Sequence, residues 1–315
     1  MNYCDLGKTG ITVSRLCFGT LTIGPLQARL SIEKGASLLV DAFENGINFF
    51  DTAEIYKNYD YLCSAFKNMN PKPVVATKSY AYTKENMEKS LSKALREMGL
   101  EAVDIFLLHE QESENTIKGH FEALEYLLRA KEKGYVRAVG ISCHTTAAVE
   151  AALKYPEIEI IHPLVNFRGI GIRDGTVEQM LSLLKKAAEK NIGIYAMKPL
   201  GGGHLIKQAE KAFNFVLSHS FIHSVAVGMQ SGEELLFNQA VFSDTLVPED
   251  LRNQLMAKPR RIVVESWCKG CGECISHCPQ GALTIKDNKA QVRKSDCIFC
   301  GYCGVYCEDI CIKIY

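Results

Sequence analysis

Between Leu16 and Val241 the chain alternates short apolar runs with helical segments, eight of each, and few folds accommodate that order. The apolar runs cover residues 16–18, 48–51, 74–77, 103–108, 136–141, 158–161, 193–197 and 224–227. Between them, helical patterns cover 31–45, 59–68, 83–98, 115–133, 145–154, 176–190, 207–218 and 232–241. Ser31 and Thr83 stand at N-cap positions, and Gly46, Gly99 and Gly134 stand where helices stop. Successive strands joined by helices run parallel, because a parallel pair needs a long crossover. The expected class is α/β, a (β/α)8 TIM barrel, with a small α+β domain at its C-terminus.

Three consecutive units share a further property. The run Asn48-Phe49-Phe50 meets Asp51 and, five residues on, Tyr56; the run at Val74 ends at Lys78; the run at Val103 ends at His109. A parallel barrel builds its site from the C-terminal ends of its strands, so these ionisable groups are placed to converge. Singly, an Asp, a Lys and a His are weak signals, and their joint placement is what counts. A hairpin at residues 1–14, turning at Gly7-Lys8-Thr9-Gly10, would close the floor.

A barrel of about 250 residues leaves room for a satellite in a chain of 315. The expected domains are the barrel at 1–245, a helical linker at 246–264 beginning near Pro248-Glu249-Asp250, and a cysteine-rich domain at 265–315. Lys and Arg number 36 against 36 Asp and Glu, so no net field recruits nucleic acid or an anionic membrane. No apolar run reaches the roughly 20 residues that span a bilayer, and the opening Met1-Asn2-Tyr3-Cys4-Asp5 is not a secretory start. A cytoplasmic location is the expectation.

The 13 cysteines are concentrated near the C-terminus at motif spacing. Cys268, Cys271, Cys274 and Cys278, followed by Pro279, read Cys-x-x-Cys-x-x-Cys-x-x-x-Cys-Pro. Cys297, Cys300, Cys303 and Cys307 repeat that spacing at an offset of 29. Metal is the better reading than disulfides for such a pattern without an export signal. The run resembles a bacterial two-cluster ferredoxin, which implies two 4Fe-4S clusters with crossed ligation. Cys268, Cys271, Cys274 and Cys307 would then hold one, and Cys297, Cys300, Cys303 and Cys278 the other. Paired zinc sites are the rival, although zinc does not call for a triple spacing plus a distal cysteine and proline. Glu308 replaces the second proline, where an ionised carboxylate close to a cluster would lower its potential. Cys4, Cys17, Cys63, Cys143 and Cys311 are left as small buried hydrophobes.

Around the ionisable strand ends the chain resembles the aldo-keto reductase family over residues 1–245. The resemblance rests on Leu6-Gly7-Lys8-Thr9-Gly10, Asp51-Thr52-Ala53 with Tyr56, Lys78 and His109. It implies that Tyr56 is the proton donor, Lys78 lowers its pKa, Asp51 anchors Lys78, and His109 positions a carbonyl substrate. It also implies a nicotinamide cofactor, NADP(H) with NAD(H) as an alternative. Gly19, Thr20, Asp51, Ser142, His162, Met197, Lys198, Leu200, Gly228 and Asn238 match cofactor positions. Departures are His162 for a frequent glutamine, Cys143 for asparagine, Met197 for a stacking aromatic ring, and Gly228 and Glu234 where 2′-phosphate-binding basic groups often stand. Residues 140–145 and 197–203 are similar to the ferredoxin-bearing branch of the family.

Carbonyl reduction to an alcohol by an iron-sulfur aldo-keto reductase is the leading expectation. A hydride moves two electrons together while clusters pass one at a time, which keeps open an electron-transfer oxidoreductase with a protein redox partner. A barrel retained as a non-enzymatic subunit is the third reading. The cysteine domain is expected to pack near the barrel mouth, where the family usually carries a long loop.

Overall fold

The computed structural model describes residues 1–314; Tyr315, the last residue of the expected cysteine domain, lies outside them. Strands β1 (Tyr3–Asp5) and β2 (Thr12–Ser14) form the antiparallel hairpin. Eight parallel strands then close a barrel: β3 (Leu16–Gly19), β4 (Phe49–Asp51), β5 (Val74–Ser79), β6 (Val103–Gln111), β7 (Val136–Cys143), β8 (Ile160–Pro163), β9 (Gly193–Met197) and β10 (Ser224–Gly228). Closure is made by β10 against β3, with Val225 opposite Leu16 and Gly228 opposite Gly19.

Strand alternation sorts the core into two compartments. Cys17, Phe49, Ala76, Ile105, Leu107, Ala138, Ile160, Tyr195 and Ala226 fill the barrel interior together with Leu6, Ile11 and Val13 of the hairpin. Their neighbours Phe18, Phe50, Val75, Phe106 and Val139 face outward into the larger core beneath the helices. The hairpin is therefore a plug for the N-terminal end of the barrel. Gly7 comes so close to the start of β9 that a Cβ would lie 2.4 Å from the nitrogen of Gly193.

The helices follow their sequence signals. Ser31 accepts the N–H of Lys34 and Thr83 that of Asn86, each cap stabilising its helix by about 1 kcal/mol. One expectation is corrected. The segment 115–133 is two helices, Glu114–Gly119 and Phe121–Glu132, with His120 between them. Gly119 weakens the helix there, and the His120 ring turns back onto the carbonyl of Thr116 at 2.8 Å. Among the described residues, no helix is long and apolar enough to cross a membrane.

Beyond the helix Glu249–Ala257 lies the smaller α+β region. Strand β11 (Ile262–Val264) pairs with β14 (Ile312–Ile314), and β12 (Leu283–Lys286) with β13 (Lys289–Val292). Asp287 and Asn288, at φ of 52° and 56°, make the tight turn between β12 and β13. Short helices Glu273–Ser276 and Tyr302–Val305 each follow a left-handed glycine, Gly272 and Gly301. The sequence offset of 29 thus reappears as two equivalent turns.

This region docks on the loop that follows β9. His204 donates from Nε2 to the carbonyl of Ile312 at 2.9 Å, and burial lowers its imidazole pKa to about 4, so it sits there neutral. Gly301 and Gly304 press on the same histidine, leaving no room for a side chain at Gly304. At Gly203, where φ is +96°, a Cβ would lie 1.7 Å from the carbonyl oxygen of Ile314. Gly203→Ala is therefore expected to release β14 from the barrel. Limited proteolysis near residues 258–261 should accelerate by about tenfold or more, the effect of a 1.4 kcal/mol loss. An unchanged cleavage rate would contradict this docking.

Candidate active site

The inward parity of the barrel strands continues upward into the site. Phe49 is followed on the same face by Asp51, Ala76 by Lys78, Leu107 by His109, Ile160 by His162 and Tyr195 by Met197. One alternation rule therefore buries an apolar floor and presents polar side chains above it. Tyr56 comes from elsewhere, a single 3-10 turn, Glu54–Tyr56, that leaves β4 and ends at the left-handed Lys57.

Lys78 donates from Nζ to both oxygens of Asp51 at 2.7 Å and to the carbonyl of Thr52 at 2.8 Å. The pair is buried, with side chains 1% and 6% exposed. All three ammonium protons are thus committed. The Lys78 nitrogen lies 5.2 Å from the centre of the Tyr56 ring, which also meets His109 edge-on at 6.1 Å. Tyr80 stacks on the other side of His109 at 4.3 Å and donates its hydroxyl to Glu110 at 2.6 Å.

The Tyr56 phenol is held well above its usual pKa, first by burial and then by the charges of Asp51 and Glu110. Burial and the cations Lys78 and Lys198 push His109 well below the usual imidazole range, leaving it neutral. His109 Nδ1 is buried without a hydrogen-bond partner.

Two tyrosines escaped the sequence reading. Tyr195 donates its hydroxyl to Asp51 at 3.0 Å and stacks on His162 at 3.9 Å, while its carbonyl meets His162 Nδ1 at 2.6 Å. Tyr80 follows Lys78 by two positions. Strand parity with Met197 and Lys78 respectively was the available signal for each.

A cavity of about 770 Å³ opens over Tyr56, a size ordinary for a small-molecule or cofactor site. Gly19, Asp51, His162, Met197, Lys198, Leu200, Gly228 and Asn238 all reach its wall. Thr20 and Ser142, expected at the nicotinamide end, are set back from it. Thr20 donates its hydroxyl to the Asp51 carbonyl at 2.9 Å, and the Ser142 hydroxyl accepts the Glu110 N–H at 2.8 Å. Glu234, Lys258 and Arg260 also line the cavity, as do Lys313 and Ile314 of β14.

Residues 15–216 match the model of the aldo/keto reductase family. The chain belongs to the aldo/keto reductase family. A separate match to a 4Fe-4S binding domain covers residues 261–284. Curated relatives of this aldo/keto reductase include L-galactose dehydrogenase of Arabidopsis thaliana, 26% identical over 64% of this chain and 66% of that protein. The uncharacterized oxidoreductase YqkF of Bacillus subtilis is 28% identical, covering 69% and 72%. The holo form of aldo-keto reductase AKR11C1 from Bacillus halodurans shares the fold at a TM-score of 0.67 and 20% identity, covering 81% of this chain and 95% of that one.

The cysteines of the smaller region fall into two neighbourhoods. Burial and then the thiols of Cys307, Cys271 and Cys268 push Cys274 up to about 11. Burial, Cys300, Cys274, Cys297 and Cys278 push Cys303 up to about 12. Backbone N–H groups of Ala282, Ala290 and Cys311 point at the sulfurs of Cys278, Cys268 and Cys307 at 3.3–3.4 Å. Soft thiolates receiving such bonds are the donor set an iron-sulfur cluster requires. Among the described residues, no group of three or more His, Cys, Asp or Glu side chains converges tightly enough for a single metal ion. Cys311, expected as an inert core residue, lies 3.3 Å from the sulfur of Cys307. Glu308 is exposed, where water screens its charge.

Proposed function

We propose that the protein is an NADP(H)-dependent reductase of an aldehyde or ketone, with Tyr56 as proton donor and two 4Fe-4S clusters in its appended domain. The observation that carries this reading is the half-buried Tyr56 beside the buried Lys78–Asp51 pair and neutral His109, with Tyr56 and Asp51 lining one cavity. The barrel would span 1–245, the linker 246–264 and the cluster domain 265–315.

A nicotinamide bound in the cavity would supply hydride to the carbonyl carbon. Every other requirement falls on the chain. A phenol held above its usual pKa keeps its proton until a strongly basic alkoxide develops, then releases it from the Tyr56 hydroxyl. The Lys78 charge beside the ring offsets the phenolate that remains, and Asp51 with the Thr52 carbonyl prevents Lys78 from swinging away. Neutral His109 can donate a ring N–H to the substrate oxygen without competing as an acid. Met197 and Leu200 reach the cavity wall where they can cover apolar parts of a ligand.

The cavity wall at Glu234 supports NADPH over NADH. Glu234, which alone would repel a 2′-phosphate, accepts the Gln230 N–H at 2.7 Å and pairs with Lys258 at 2.5 Å. Half-buried Arg260 reaches the same wall. The basic groups absent from the barrel positions are thus supplied by the linker. Arg260→Ala is expected to raise the KM for NADPH by about tenfold to a hundredfold and leave that for NADH unchanged, the scale of one hydrogen bond to a charged group. Equal effects on both nucleotides would refute this.

The electron-transfer reading is favoured by one observation, the position of Lys313 and Ile314 between the cysteine region and the cavity. Anaerobic turnover of simple aldehydes with NADPH alone decides between the two. Turnover without reduced ferredoxin supports the reductase; turnover only with it supports the alternative.

A further inference from the structure

Two lysines that face the cavity rim are not used by the tetrad. Lys198, at the end of β9 with a left-handed φ of 54°, comes from the barrel; Lys313 comes from β14 of the appended region. Both reach the wall of the cavity that holds Tyr56. Lys313 is only 8% exposed, and no hydrogen bond or ion pair engages its ammonium among the described residues. Its nitrogen passes over the glycine turn after β9, 3.7 Å from where a Cβ of Gly202 would stand.

Lys198 Nζ has a neutral partner, Nε2 of His144 at 2.8 Å. That leaves His144 Nδ1 to carry the ring proton, buried without a partner and 3.7 Å from Glu110. Glu110 is occupied by the Tyr80 hydroxyl, and the nearby Arg173 is paired with Glu112 at 2.5 Å. Two ammonium groups are therefore brought to one rim with no carboxylate hydrogen-bonded to either. Glu265 and Glu110 attract Lys313 only from beyond hydrogen-bond distance. A buried ammonium with no hydrogen-bonded counter-ion is costly until an anion arrives, and then it becomes a binding site.

We propose that Lys198 and Lys313 form an anion subsite that takes the carboxylate of an oxo-acid or carboxy-aldehyde substrate while its carbonyl lies at Tyr56. The substrate's tail is the match, since both lysines share the cavity wall with Tyr56 and His162. The inference rests on the carbonyl-reductase reading and adds the substrate's charge. It also gives the appended region a part in substrate selection, since one of the two cations is its own.

The test uses the anaerobically purified, cluster-loaded protein with 4-formylbenzoate and its methyl ester, which differ in the anionic group. The wild-type kcat/KM is expected to favour the acid by about tenfold or more. Lys313→Met should bring the ratio near one, while Lys313→Arg retains it and the KM for NADPH stays unchanged in both. An unchanged ratio in Lys313→Met overturns the proposal. So does a rise in the KM for NADPH with equal losses on both aldehydes, which would assign the lysines to the pyrophosphate. If the Met variant loses iron, Lys313→Gln replaces it. If the wild type reduces neither aldehyde, the reductase reading fails, and calorimetry with 4-(hydroxymethyl)benzoate judges the subsite: binding that Lys313→Met abolishes sustains it, and no binding overturns it.

Discussion

Tyr56→Phe should lower carbonyl turnover by about a hundredfold to ten-thousandfold, the range for losing a positioned acid. The same variant should bind NADPH as the parent does and keep its iron. The reason is local. Among the described residues the Tyr56 hydroxyl makes no hydrogen bond to protein, so its removal strands no partner, and the ring keeps its contacts with Lys78 and His109. Lys78→Met would be a poorer test. It would leave the Asp51 carboxylate buried without its cation, a loss of about 3–5 kcal/mol that confuses stability with chemistry. Anaerobic single-turnover measurements on a simple aldehyde, beside a fluorescence titration of NADPH, separate the two quantities. Retained turnover in Tyr56→Phe would remove the phenol from the mechanism.

That so much of this site could be read from sequence follows from the period of a strand. Once Phe49, Ala76 and Leu107 are taken as interior, the residues two positions later must point the same way, and those are Asp51, Lys78 and His109. The barrel itself was legible because each helix carries its own start and stop signals, as Ser31 and Gly99 illustrate. Where periodicity is silent, less could be read. The helix break at His120 depends on a ring bonding back to Thr116, a local choice that competes with a continuous apolar stripe. The saturation of Lys78 by Asp51 and the Thr52 carbonyl is a side-chain geometry that spacing does not reveal. Lys258 reads as part of a linker because its partner, Glu234, is distant in sequence. The role of β14 at the rim depends on packing between two regions, and no pattern within either one encodes it.

The cysteine region offers a test of topology as well as of composition. If ligation is crossed, Cys274 and Cys307 serve the same cluster despite belonging to different runs. Cys274→Ser alone should then drop the iron from about eight to about four per chain, and Cys307→Ser alone should do the same. The double variant should still hold about four, since both changes fall on one cluster. If each run instead keeps its own four cysteines, the two losses add and the double variant retains almost none. Cys311, 3.3 Å from the Cys307 sulfur, is placed to substitute as a ligand, so the Cys307 variants should carry Cys311→Ser as well. The measurement is iron per chain on anaerobically purified protein, with the reduced clusters counted by electron paramagnetic resonance. Additive loss would refute the crossing. A wild type that contains zinc in place of iron would remove the clusters altogether, leaving the barrel chemistry to stand on Tyr56 alone.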